Sequence, residues 1–320
     1  MEGPPTSSTD VPMKVSDSGM LPGWQCKTYF RGQWHDGNIA IMGACDHGTW
    51  LGCSVFDGAR YYDGVCPDMD LHLARILRSA TSMGMAPPVS HAEIMKVAIQ
   101  GIRAFAPGAE LYIRPFMWSE YAGPGIISPN GDSTQFSMAM EAMPMALGGK
   151  EVTMTVTQLR KCNLTLAPTD AKASCLYPHY GRMAQEAFAR GFNTALALDL
   201  NGNVAETHSA NVFMVKDGVA YTPVANGCFL AGITRQRVLA LLRGAGVECV
   251  EKSLTVGDFA QADEMFLTGN AFKVQPIAKF EERVLPSPGP VAAQARALYF
   301  EWGRTQTLEH FEEKYSLCAT

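Results

Sequence analysis

The sequence holds little that would commit it to metal, membrane or nucleic-acid work. Its 9 cysteines include no CxxC pair. An odd count without ligand spacing reads as reduced, structural thiols of a cytoplasmic protein. The 7 histidines make no HxH or HxxxH cluster, which leaves no histidine-built metal site. No apolar run approaches the roughly 20 residues of a membrane span, and the N-terminus lacks a signal-peptide core. Charged residues make up only 18%, with a net charge of −5, so there is no basic stripe for nucleic acid or for an anionic membrane surface. GxGxxG and P-loop patterns are absent, as are internal repeats and low-complexity tracts.

What is present is a chain of 320 residues that is 47% hydrophobic, enough for two domains with a core each. Residues 1–22, rich in Pro, Ser, Gly and Asp, are expected to form a loose arm. An α+β domain is expected over 23–147, a linker over 148–151 around Gly148-Gly149, and a larger α+β domain over 152–320. "KTYFRGQWHDG" reads as two strands about Arg31-Gly32, and "WLGCSVFDGARYYDG" reads as hairpin, broken at Asp57-Gly58 and Asp63-Gly64. Apolar spacing predicts helices in "MDLHLARILRSATSMGM" and, behind Ser90, in "SHAEIMKVAIQGIRAF". In the second half, Asn201-Gly202 and Asp217-Gly218 mark hairpins. "YGRMAQEAFARG", "GITRQRVLALLRGAG" and "VAAQARALYFEWGRTQ" read as helices.

Four features could do chemistry, and each has a plain structural reading. Lys172, in "TDAKASCLY", sits among small residues with no charged neighbour at helical spacing. A lysine kept in a dry pocket loses its proton and can form an imine, whereas an ordinary one snorkels to the surface. Glu206 shares a face with Val204 in "NGNVAETHSANVF". A carboxylate on an apolar strand needs a cationic or N–H partner, which a protonated ring nitrogen supplies; otherwise it faces solvent. In "AGITRQRV", Gly232 leads into a helix start at Thr234 that could hold a phosphate, although most helix starts hold nothing. Arg60 in "VFDGARYY" suits phosphate, or a structural ion pair with Asp57 or Asp63.

Together these four make the parts list of one cofactor, and the chain resembles the fold-type IV pyridoxal-phosphate enzymes, most closely the branched-chain amino acid aminotransferases, from about residue 25 to 305. The resemblance implies two α+β domains, each a sheet or barrel-like sheet with flanking helices. On "VFDGARYYDG" it makes Arg60 the phosphate arginine and puts Phe56 on the substrate side. "YIRP" sets Tyr112 and Arg114 near a substrate carboxylate. "AKASCLY" makes Lys172 the imine-forming lysine with Tyr177 beside the cofactor, and "VAETHSANVF" makes Glu206 the partner of the pyridine nitrogen. "GITRQRV" gives Ile233 and Thr234 to the phosphate. "LTGNA" gives Thr268 and Asn270 to the cofactor and Gly269 and Ala271 to the substrate. Asn270 stands where the branched-chain enzymes carry threonine, and "FMWSEYAGPGIISPNGD" is longer and more aromatic than in those enzymes.

The resemblance implies transamination between an amino donor, foremost a branched-chain L-amino acid, and a 2-oxo acid such as 2-oxoglutarate or pyruvate. It further implies a cytoplasmic homodimer whose active site lies at the subunit interface, with no metal, nucleic-acid or membrane partner. Transamination of (R)-amines or D-amino acids, and a lyase of the aminodeoxychorismate type, are the alternatives within the same fold. A cofactor-binding or structural protein without turnover is the non-enzymatic one.

Overall fold

A computed structural model describes residues 25–145 and 151–317. The arm expected over 1–22, and all but Glu151 of the expected linker, lie outside the described residues. Strands β1 (Cys26–Phe30) and β2 (Gln33–Asp36) meet across Arg31 at φ 48° and Gly32 at φ 86°. Two left-handed residues in succession form a turn whose twist matches that of the strands it joins. Strands β3 (Ser54–Phe56), β4 (Ala59–Tyr61), β5 (Leu111–Ser119) and β6 (Thr134–Ala142) complete the first sheet. Its order is β2-β1-β6-β5-β3, with β4 also on β5. After a single turn of helix, α1 (His47–Trp50), the helices α2 (Met69–Ser82) and α3 (His91–Arg103) cover this sheet. Ser90 and Glu93 cap α3 reciprocally, each side chain accepting from the other's backbone N–H. Leu73, Ile76, Ile94 and Ala98 are fully buried against Val55, Ile113 and Met138.

The turn expected at Asp63-Gly64 forms, with Tyr62 bridged to Val65, but the one expected at Asp57-Gly58 does not. Strands β3 and β4 both pair with β5 in one continuous register, Phe56 opposite Phe116 and Ala59 opposite Ile113. Asp57-Gly58 is therefore a break within one strand. Opposite it lies Pro115, which has no N–H to donate; Asp57 N instead donates to Pro115 O at 3.1 Å. The side chain of Asp57 turns away from the sheet to His72 and Arg75 of α2.

The second sheet contains β7 (Val152–Arg160), β8 (Thr194–Leu198), β9 (Val204–Thr207), β10 (Asn211–Lys216), β11 (Val219–Pro223), β12 (Cys249–Lys252), β13 (Glu264–Gly269), β14 (Lys273–Phe280) and β15 (Arg283–Val284). It runs β12-β11-β10-β13-β14-β7-β8-β9, with β15 on β14. The hairpins expected at Asn201-Gly202 and Asp217-Gly218 join β8 to β9 and β10 to β11. Helices α4 (Tyr177–Ala189), α5 (Ile233–Gly244), α6 (Val256–Ala260) and α7 (Pro290–Gly303) flank it. A final helix, α8 (Leu308–Tyr315), returns to the first layer, where Leu308 and Phe311 enter its core. The chain after 152 thus serves both layers.

Candidate active site

A cavity of about 250 Å³ lies in the seam between the sheets. The first layer supplies Phe56, Gly58 and Tyr112; the second supplies Glu206, Gly232–Thr234 and Thr268–Ala271. The segment 171–176 runs between them and carries Lys172. Its small residues explain its path: Ala171 and Ala173 are buried against the first core, and Ala173 bridges to Val55. Phe56 N donates to Lys172 O at 3.1 Å, and Lys172 N donates to Ser79 Oγ at 3.1 Å. With its backbone clamped to the edge of the sheet, the lysine sends its amine into the cavity. There Nζ donates to Tyr177 Oη at 2.7 Å and lies 4.9 Å from the Phe56 ring centroid. Burial, reinforced by the Arg75 cation, pulls the amine below its ordinary pKa. Burial, with Glu206 nearby, pushes the Tyr177 phenol up.

Glu206 is buried on β9 with both oxygens engaged. Lys161 Nζ donates to Oε1 at 2.8 Å, and Asn211 Nδ2 donates to Oε2 at 3.1 Å. Lys161 is itself fully buried, 3.4 Å from the centroid of the Tyr180 ring. Sequence reasoning missed Lys161, Asn211 and Tyr180. A lysine at a strand end carries no signal of its own, and only the fold brings 161 beside 206.

The opposite wall is rich in unsatisfied donors. Helix α5 begins at Ile233, so the N–H groups of Ile233 and Thr234 have no intrahelical partner. Thr268 Oγ1 and Asn270 Nδ2 are buried without a hydrogen-bond partner. Arg75 also lines the cavity; its Nε and Nη2 hold Asp57 at 2.6 and 2.8 Å. Burial alone would raise the Asp57 carboxyl pKa, but Arg75 and His72 outweigh that and hold it well below the ordinary range.

Two expected residues stand elsewhere. Arg60 lies behind Tyr112 instead of on the cavity wall. Its Nη1 donates to Met143 O at 2.7 Å, and its guanidinium lies 5.1 Å from the Tyr112 ring centroid. The strand break turns Asp57, not Arg60, toward α2, and Asp57 fixes Arg75 at the wall. The clue to Arg75 was in α2: His72, Arg75 and Ser79 are polar residues on its buried face. Arg114 forms an ion pair with Glu141 at 2.7 Å, also off the wall. Lys172, Tyr177, Glu206, Ile233, Thr234, Thr268, Gly269, Asn270, Ala271, Phe56 and Tyr112 all line the one cavity.

Among the described residues no cluster of three metal-ligating side chains occurs, and no helix is long and apolar enough to cross a membrane. The Amino-transferase class IV family pattern matches residues 54–280. A branched-chain-amino-acid aminotransferase of Pseudomonas aeruginosa is 30% identical over 88% of this chain and 92% of its own length. The crystal structure of an aminotransferase from Brucella abortus, bound to the cofactor PLP, superposes with a TM-score of 0.86 at 48% identity, covering 88% of this chain and 99% of that one. The branched-chain aminotransferase of Thermoproteus uzoniensis, solved with norvaline, gives 0.80 at 30% identity, over 91% of this chain and 97% of that one.

Proposed function

The chain belongs to the class IV aminotransferases, and from that premise we propose that it moves an amino group between a branched-chain L-amino acid and a 2-oxo acid, in the cavity shared by Lys172, Tyr177 and Glu206. It is a pyridoxal-phosphate enzyme, and the residues present fit the cofactor. The orphaned Thr268 Oγ1 and Asn270 Nδ2 mark an anion site, with a buried carboxylate and a desolvated amine on the same cavity. The N–H groups of Ile233 and Thr234, with Thr268, Asn270 and Arg75, would hold the phosphate; Glu206 would meet the ring nitrogen and Tyr177 would stand beside the ring. When bound, the cofactor supplies an electron sink for charge developing at the donor carbon.

The chain's own residues do the rest. Lys172, low in pKa and held by Tyr177, takes the proton from the donor carbon and returns it, acting as base and then acid. Lys161 and Asn211 fix the Glu206 carboxylate. Phe56, Leu176 and Tyr112 make an apolar wall that keeps water from the reacting atoms and suits an aliphatic side chain. A 2-oxoglutarate acceptor would draw Arg114 away from Glu141 to meet its second carboxylate; pyruvate would not.

We read the working form as a cytoplasmic homodimer. Trp50, Tyr121, Ile126 and Ile127 are exposed, and His47 lies between two of them, its Nε2 donating to Ile127 O at 3.0 Å and its ring 6.4 Å from that of Trp50. Light scattering of the purified chain tests this, and a monomer removes it.

The observation that carries the reading is the Lys172 amine 2.7 Å from Tyr177 Oη in the cavity that Glu206 also lines. The test is a donor panel against the holo-protein, read by loss of the cofactor's absorbance. L-valine, L-leucine and L-isoleucine should bleach it, and a 2-oxo acid should restore it. Bleaching only by D-amino acids or (R)-amines would reverse the hand of the donor, and pyruvate release without an acceptor would make the protein a lyase.

A further inference from the structure

Behind the anion end, the β13–β14 hairpin holds a residue that its geometry does not ask for. Gly269 pairs with Lys273 across a three-residue connection, Asn270 to Phe272. Connections of that length place a left-handed residue at the start of the second strand, ordinarily glycine. Lys273 takes the position at φ 63°. Its side chain is fully buried and makes no ion pair with any described residue. The amine donates to Asn270 Oδ1 at 2.7 Å and lies 5.8 Å from the centroid of the Tyr299 ring. Burial pulls its pKa down to about 7, with Asp68 opposing that shift and Arg60 reinforcing it.

A left-handed non-glycine backbone costs about 1 kcal/mol, and a fully buried amine without a direct ion pair, with the Asp68 charge only nearby, costs more. Neither feature stabilises the fold, and strain of this kind beside a cavity points to function. The hydrogen bond indicates what it is for. The protonated amine only donates, so in that form the Asn270 oxygen faces it, as the 2.7 Å contact to Oδ1 has it. The carboxamide is thereby locked with Nδ2, buried and without a partner, left for the cavity's occupant. Turned over, the same amide would set its oxygen against an anion.

We propose that Lys273 is a positioning residue that acts through Asn270, making the β13–β14 turn a donor site for an oxyanion, either the cofactor phosphate or a substrate carboxylate. The inference rests on the aminotransferase reading, and its test is separable from that reading because cofactor affinity is measured without turnover. Lys273→Met removes the donor at similar length. Pyridoxal phosphate titrated into the full chain should bind about ten-fold more weakly, the size of one hydrogen bond to a charged group, while pyridoxal, which lacks the phosphate, binds unchanged. If the anion is the substrate carboxylate, the donor KM rises instead, with kcat at saturation kept. Asn270→Ala should cost the same, and Lys273→Met in that background nothing more. Lys273→Gln, which still donates, should restore part of the loss, and the melting temperature of Lys273→Met should be equal to or above that of the wild type. Losses that add in the double variant, a melting temperature that falls with affinity, or unchanged affinity and KM in either single variant would each overturn the proposal.

Discussion

Lys161 and Glu206 form a buried ion pair, Nζ to Oε1 at 2.8 Å, with Glu206 in the wall of the cavity. Removing one partner of such a pair leaves the other charge uncompensated in a poor solvent. Lys161→Met should therefore destabilise the cofactor-free chain by about 3 kcal/mol. Pyridoxal phosphate should raise the melting temperature of this variant more than that of the wild type, since a ring-nitrogen cation would restore the missing charge. Denaturant titrations with and without cofactor test both statements, and equal cofactor gains would remove Glu206 from the ring nitrogen.

Lys172→Ala should abolish transamination, and borohydride reduction of the wild-type holo-protein should attach the cofactor to the peptide carrying Lys172. Tyr177→Phe removes the 2.7 Å contact to the amine and should slow turnover about ten-fold. Full activity in the alanine variant would end the assignment.

The two arginines can be told apart by cofactor affinity alone. Arg75 lines the cavity whereas Arg60 is spent on Met143 O behind Tyr112. Arg75→Gln should weaken pyridoxal-phosphate binding by at least about ten-fold, and Arg60→Gln should leave it within about two-fold. The reverse order in equilibrium titration would return the phosphate to Arg60.

His208 and Asp57 contribute to the acid limb of stability in separate windows. Burial, then the Lys161 charge, brings His208 down to about 4. The unfolded imidazole titrates near ~6.5, so the folded state binds its proton later than the unfolded state. The resulting stability is complete above about pH 6.5 and is lost as pH falls from there toward 4. Asp57, depressed by Arg75 and His72 despite its burial, acts only below the ordinary carboxylate range. His208→Gln should reduce the slope of urea midpoints between those two values, with buried His72, also lowered, supplying the remainder, and leave the loss at lower pH in place, whereas Asp57→Asn should reduce the loss at lower pH.

The sequence made some parts of this site legible and hid others for physical reasons. Lys172, Glu206 and Thr234 stood out in local patterns, a lysine among alanines, an acid on an apolar strand, a glycine before a helix, but each kept a plain structural reading until the family resemblance joined them. Arg31-Gly32 and Asn201-Gly202 could be read because turn geometry is set by two adjacent residues. Asp57-Gly58 has the same letters as the Asp217-Gly218 hairpin but a different outcome, because the partner across the sheet is Pro115 and the turn signal became a strand break. Lys161, Asn211 and Lys273 were hidden because their meaning lies in partners set by sheet order. The last helix was hidden because its burial depends on a layer built some 200 residues earlier.

The segment that bears Lys172 is stitched by its backbone to the edge of the first sheet, while Glu206 rides on the second. Amine and carboxylate are thus anchored to different slabs, and their separation reports how well the slabs are docked. Mild heat or chaotrope that only loosens the seam should silence the chemistry while the far-ultraviolet dichroism of both slabs is still intact, so that the enzyme fails as a hinge before it melts as a fold.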